Sequence, residues 1–159
     1  MCEPYTDIWQ FATTLYRQPG IEPLCLELQQ TYDVNVPLLL WLVWCDAQSG
    51  IDEQTLQAGL ELATHWQEQV ITPLRSARAW MKASLCLSEP EKTLRADIKD
   101  CELRTEQHLL RQLQELSRQG PRPCDTKGQA AMDYLLRLSS QPDLCQRALH
   151  ALHQAAKQT

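Results

Sequence analysis

Apolar positions recur along this chain every three or four residues, and one stretch departs from that rhythm by being apolar on every side. From Val36 to Cys45 the sequence reads Val-Pro-Leu-Leu-Leu-Trp-Leu-Val-Trp-Cys. A helix there must be surrounded by the rest of the chain. At about 1.5 Å per residue it is roughly 15 Å long, half of a bilayer's hydrocarbon core, which marks a buried helix and not a membrane span. The other segments are apolar on one side only, and alternating strand patterns are absent. The expected fold is therefore all-α: a single-domain helical bundle of about six to eight helices around the buried central one, occupying residues 1–159.

The same spacing places the remaining helices. Ile8, Phe11, Ala12 and Leu15 line a first helix that opens near Thr6 or Asp7 and stops at Pro19-Gly20; Leu24, Cys25, Leu28 and Tyr32 line a second. Asn35 stands where an N-cap satisfies free backbone donors, and Pro37, with no amide hydrogen, suits the first turn of the central helix. Asp46 to Gly50 reads as the turn out of it. Asp52 caps a fourth helix with Leu56, Leu60, Ala63 and Val70 inward, and Thr72-Pro73 restarts or kinks it. A helix follows from Pro73 to Leu87 with Leu74, Ala77, Met81 and Leu85 on one side. Ser88-Glu89-Pro90-Glu91 forms a capping box. It starts a helix reaching Arg118, with the stripe Leu94, Ile98, Cys101, Leu109 and Leu116. Two prolines and two glycines make residues 119–128 a loop. Short helices over 130–138 and 143–156 end the chain.

Composition sharpens this picture. The seven cysteines are odd in number and lie at least fifteen positions apart, so neither a disulfide framework nor a paired metal knuckle is expected. Free thiols and an N-terminus without a basic patch and apolar run place the protein in the cytoplasm. The net charge of −5 hides a partition: residues 1–74 hold ten acidic side chains and one basic, Arg17, whereas residues 75–159 hold fourteen basic and ten acidic. Either the two halves attract one another within the fold, or the acidic surface is displayed to a basic protein partner. Nucleic acid is disfavoured as a partner, because phosphate neutralisation needs dense Lys and Arg.

Motifs for catalysis are missing. The glycines never come close enough to cradle a phosphate, and neither a Gly-x-Ser-x-Gly elbow nor a His-Glu-x-x-His helix occurs. No catalytic residue, metal site or cofactor is therefore expected. His150 and His153 read as a solvated pair near a helix end. One polar constellation carries more. Glu102 and Glu106 share a side of the long helix, and Arg75, Arg78 and Lys82 share one flank of the helix before it, within an arc of about 60°. Pairing across antiparallel neighbours would lock their register. Arg95 and Lys99 are alternative neutralising partners, and a functional carboxylate pair in a pocket is a third possibility. Five tryptophans stand against one phenylalanine. Trp9, Trp41, Trp44, Trp66 and Trp80 either fill gaps between crossing helices or line an aromatic pocket for an apolar ligand.

With Trp9-x-Phe11-Ala12, Leu15-Tyr16, Pro19-Gly20, Cys25-Leu26, Leu28-Gln29, Asp33-Val34-Asn35 and Leu38-Leu39-Leu40-Trp41, the chain resembles an uncharacterised proteobacterial family of small proteins with a domain of unknown function. The similarity continues through Pro73-Leu74-Arg75, Arg78, Lys82, Glu102-Leu103 and Glu106. It implies the all-helical layout and no mechanism. Thr105 and Gln107 depart from the alanine and arginine common in such relatives. Two functions stay open. The leading one is a non-catalytic protein acting by interaction through its acidic N-terminal surface. The alternative is a small-molecule binder or enzyme with a Trp-lined pocket and the Arg75/Arg78 and Glu102/Glu106 clusters.

Overall fold

In the computed structural model, which describes residues 7–48, 50–83, 86–119 and 129–159, the apolar run is the axis of the molecule. It forms helix α3 (Val36–Gln48), whose residues from Val36 to Cys45 are all buried. Around it pack α1 (Ile8–Tyr16), α4 (Glu53–Trp66), α6 (Glu89–Gln119), α7 (Ala130–Leu138) and α8 (Pro142–Lys157). The second helix, α2 (Ile21–Tyr32), lies against α1 and α8. Leu39, Trp41, Leu42 and Val43 have no solvent contact at all, and each such side chain contributes about 1.5–3 kcal/mol by leaving water. Among the described residues there is no strand, and no helix is long and apolar enough to cross a membrane.

The helix starts are built by the residues expected to build them. Asp7 Oδ1 accepts the Trp9 amide at 2.9 Å, and Asp52 Oδ1 accepts the Thr55 amide at 2.6 Å. Ser88 and Glu91 exchange bonds, the Ser88 amide donating to Glu91 Oε2 at 2.7 Å and the Glu91 amide to Ser88 Oγ at 3.4 Å. Asn35 does more than cap. Its Oδ1 accepts the Leu38 amide at 3.0 Å, its own amide donates to the Tyr134 hydroxyl of α7 at 2.9 Å, and its Nδ2 donates to Gln67 Oε1 at 3.0 Å. One buried asparagine, through its side chain and its backbone amide, thus joins three elements.

Gln67 belongs to a π turn, Gln67–Ile71, that carries α4 without a break into α5 (Thr72–Lys82). The Thr72 amide reaches back five residues to the Gln67 carbonyl. Pro73 is the cause, since it has no amide for the Gln69 carbonyl and its ring crowds that carbonyl in a regular helix. The kink expected at Thr72-Pro73 takes the form of a widened turn.

Four expectations are corrected. The central helix does not end at Asp46 but runs to Gln48, and Asp46 instead caps α7 from a distance, accepting the amides of Ala130 and Ala131 at 3.3 and 3.2 Å. Helix α5 ends at Lys82, short of Leu87, and Ala77 faces water. Leu85 falls outside the described residues, as does 120–128 of the expected loop, while Gln119 belongs to α6. On α6 the stripe holds at Leu109 and Leu116 but not at its N-terminal end. Leu94 is 53% exposed, Cys101 is exposed, and burial begins only at Glu102, with Leu109, Leu110 and Leu113 following. From Glu89 to Cys101 no residue of α6 is buried, so these first turns lie at the surface.

Candidate functional site

Helices α5 and α6 are antiparallel neighbours joined by the short connection that ends in the Ser88 capping box, so residues early in α5 meet residues midway along α6. Arg75 and Arg78 stand one turn apart, as do Glu102 and Glu106, and the two pairs interlock. Arg75 Nε donates to Glu102 Oε1 at 2.7 Å, and its second guanidinium nitrogen reaches Glu106 Oε1 at 2.6 Å. Arg78 Nε donates to Glu102 Oε2 at 2.9 Å, with a longer bond of 3.4 Å to Oε1. Both oxygens of Glu102 are thereby occupied, and its side chain is only 9% exposed. Glu106 has one partner where Glu102 has two. Burial pushes the Glu106 carboxyl above its ordinary range, with Arg75 and Arg78 opposing and Glu102 reinforcing. The short contact to Arg75 favours the ion, but the loss of water around the carboxyl outweighs it.

This network forms one wall of a cleft of about 490 Å³ bounded by α1, α2, the start of α3, α5 and α6. Pro37, Leu40 and Leu110 give it an apolar floor; Trp9, Thr13 and Tyr16 come from α1, and Arg17, Glu22 and Lys99 add charge. The Tyr16 hydroxyl is pushed up to about 12 by burial, aided by Cys25, Glu22 and Glu106 and opposed by Arg75, so it remains a neutral hydrogen-bond donor. Cys25 is itself raised to about 12 by burial. Tyr16, Arg17, Glu22 and Lys99 were not recognised as a group from the sequence. A usable signal existed in α1, where Trp9, Ala12, Thr13 and Tyr16 repeat at i, i+3, i+4 and i+7 beside the core stripe.

Not every anticipated residue joins this site. Lys82 is exposed and lies outside the network, because the last turn of α5 has passed the glutamates. Neither Arg95 nor Lys99 forms an ion pair with Glu102 or Glu106. The tryptophans do not gather into one pocket. Trp9 alone among the five lines the cleft. Trp41 and Trp44 are in the core, Trp66 meets His108 edge-on with ring centroids 5.2 Å apart, and Trp80 is 76% exposed. They are spread over four helices, α1, α3, α4 and α5, with burial from complete at Trp41 to slight at Trp80. His150 is exposed. No cluster of three metal-ligating side chains occurs among the described residues.

The acidic half is sorted by use, with Glu22 on the cleft. Asp7, Asp46 and Asp52 are consumed as helix caps. Burial pushes the Asp46 carboxyl up, while the Ala131 and Ala130 amides and His153 hold it down. By contrast Glu22, Glu27, Asp33, Glu53, Glu61 and Glu68 are exposed. Every ion pair among the described residues joins two side chains from the stretch 75–119, as in Lys92 with Glu89 and Arg118 with Glu115. None reaches into the acidic half.

The family model described as "Protein of unknown function (DUF2390)" matches residues 7–113, which include the whole α5–α6 network and every residue of the cleft. Helices α7 and α8 lie beyond the match. No curated protein and no solved structure matches the chain.

Proposed function

We propose a non-catalytic role in protein interaction for this chain, which belongs to the DUF2390 family of proteins of unknown function. Its acidic N-terminal half is the surface it offers, and a basic protein is the partner. The observation that carries this reading is the distribution of ion pairs. An acidic half neutralised within the fold would show pairs to the basic half, and the described ion pairs all stay within residues 75–119. On α4 and the π turn, Glu53, Gln57, Glu61, Thr64 and Glu68 recur every three or four positions and are all exposed. They make a stripe roughly 22 Å long. Gln57 donates to Glu61 Oε1 at 3.2 Å along it. Such a stripe attracts a basic surface and repels nucleic acid.

The cytoplasm of a proteobacterium is the setting this reading assumes. The thiols of Cys25, Cys45, Cys86, Cys101 and Cys145 are unpaired, as a reducing compartment would leave them. Capture of a partner from native cytoplasm, compared at low and high salt, tests the role. A partner held by these carboxylates is recovered at low salt and lost once ionic strength shortens the screening length below about 8 Å. A partner retained at high salt, or none at all, contradicts it.

A further inference from the structure

The cleft beside the α5–α6 network is open, charged and separate from the acidic stripe of α4. Its volume of about 490 Å³ falls within the roughly 300–1,000 Å³ of small-molecule sites. We propose that it binds an amphipathic organic anion, with an apolar body laid on Pro37, Leu40 and Leu110 and an acidic headgroup held by Arg78 and Lys99.

Three features select this chemistry. The floor is apolar while the wall is polar, which suits a ligand with two ends. Four cationic side chains line the cleft, Arg17, Arg75, Arg78 and Lys99, against three anionic ones, Glu22, Glu102 and Glu106. Of those anions Glu102 is already saturated by two guanidinium groups, and the Glu106 carboxyl is pressed towards its neutral form by burial. A cationic ligand therefore meets free negative charge at Glu22, on the exposed edge of the cleft, while Glu102 and Glu106 offer it little. An anionic one meets the Arg78 nitrogen that Glu102 leaves unused, Lys99, which takes part in none of the ion pairs, and the neutral Tyr16 hydroxyl as a further donor. Arg75 is occupied on both carboxylates and serves to hold the wall in place.

The test titrates the full chain with two fluorescent probes of the same apolar body: 1-anilinonaphthalene-8-sulfonate, which carries an anionic headgroup, and N-phenyl-1-naphthylamine, which has none. The sulfonate is expected to bind saturably at one site and roughly tenfold more tightly than the neutral probe, the worth of a charge-assisted hydrogen bond. Lys99→Glu, at an exposed position, should weaken the sulfonate by about the same factor and leave the neutral probe and the melting temperature unchanged. Thr13→Trp, which sets an indole into the cleft, should abolish binding of both. Leu103→Trp, from the half-exposed rim on α6, replaces it if Thr13→Trp melts early. Equal affinity for the two probes overturns the headgroup assignment. Sulfonate binding that survives the plugging variants, or no saturable binding, overturns the site.

Discussion

Glu102 and Glu106 stand one turn apart on α6, yet they are held differently and should answer mutation differently. Glu102 takes both arginines on a side chain almost free of water. Removing one member of a buried pair leaves the other charges uncompensated, so Glu102→Ala should cost about 3–5 kcal/mol in urea unfolding. A carboxylate retained for ligand contact alone would show little loss or a gain. Glu106 has a single close partner, and burial raises its pKa. A raised folded-state pKa favours folding fully below the ordinary value of 4.5, and that contribution is lost as the pH climbs through the raised value. In Glu106→Gln this slope disappears. Unfolding free energies measured across that range should therefore fall less steeply with pH for the variant than for the parent. A steeper fall would show that the Arg75 contact, not burial, governs this carboxyl.

Between helices α3 and α4 the fit is close at Gly59. A methyl group there would stand 2.6 Å from Trp41 Cη2 and closer still to Cζ3, in a ring that is fully buried and donates to Ser117 Oγ at 3.4 Å. Gly59→Ala should destabilise by about 1–3 kcal/mol through overpacking, despite alanine's better helix propensity. Thermal unfolding of Gly59→Ala with and without Trp41→Leu checks this, since the smaller partner should recover part of the loss. A stabilised single variant would mean that α4 and α3 are not pressed together here. Elements of this kind were partly legible in the sequence. The all-apolar run, the caps at Asn35 and Asp52 and the Ser88 capping box depend on neighbouring residues, and each stands where local chemistry put it. Periodicity alone puts Leu94 and Cys101 on the core stripe and cannot show that the first turns of α6 lie at the surface. Nor could it show that Asp46 caps a helix more than eighty residues away. The pairing of Arg75 and Arg78 with Glu102 and Glu106 was readable from helix geometry and a short connection. The cleft was not, because it requires α1, α2 and α3 to be placed against that wall.

At the scale of the whole molecule, the charge partition and the fold divide the work. Within residues 75–119 the described ion pairs join Arg75, Arg78, Lys92 and Arg118 to Glu89, Glu102, Glu106 and Glu115, and the core built on α3 needs none of the exposed acids. Those acids are free to face another molecule. The variant Glu61→Lys, Glu68→Lys reverses the charge of the exposed stripe beyond the first turn of α4 while touching no cap, core residue or ion pair. Comparing it with the parent chain, in thermal unfolding and in low-salt capture from native cytoplasm, is the most direct measurement. The account predicts an unchanged melting temperature together with loss of the partner that the parent retains. The same partner recovered by both chains would contradict it.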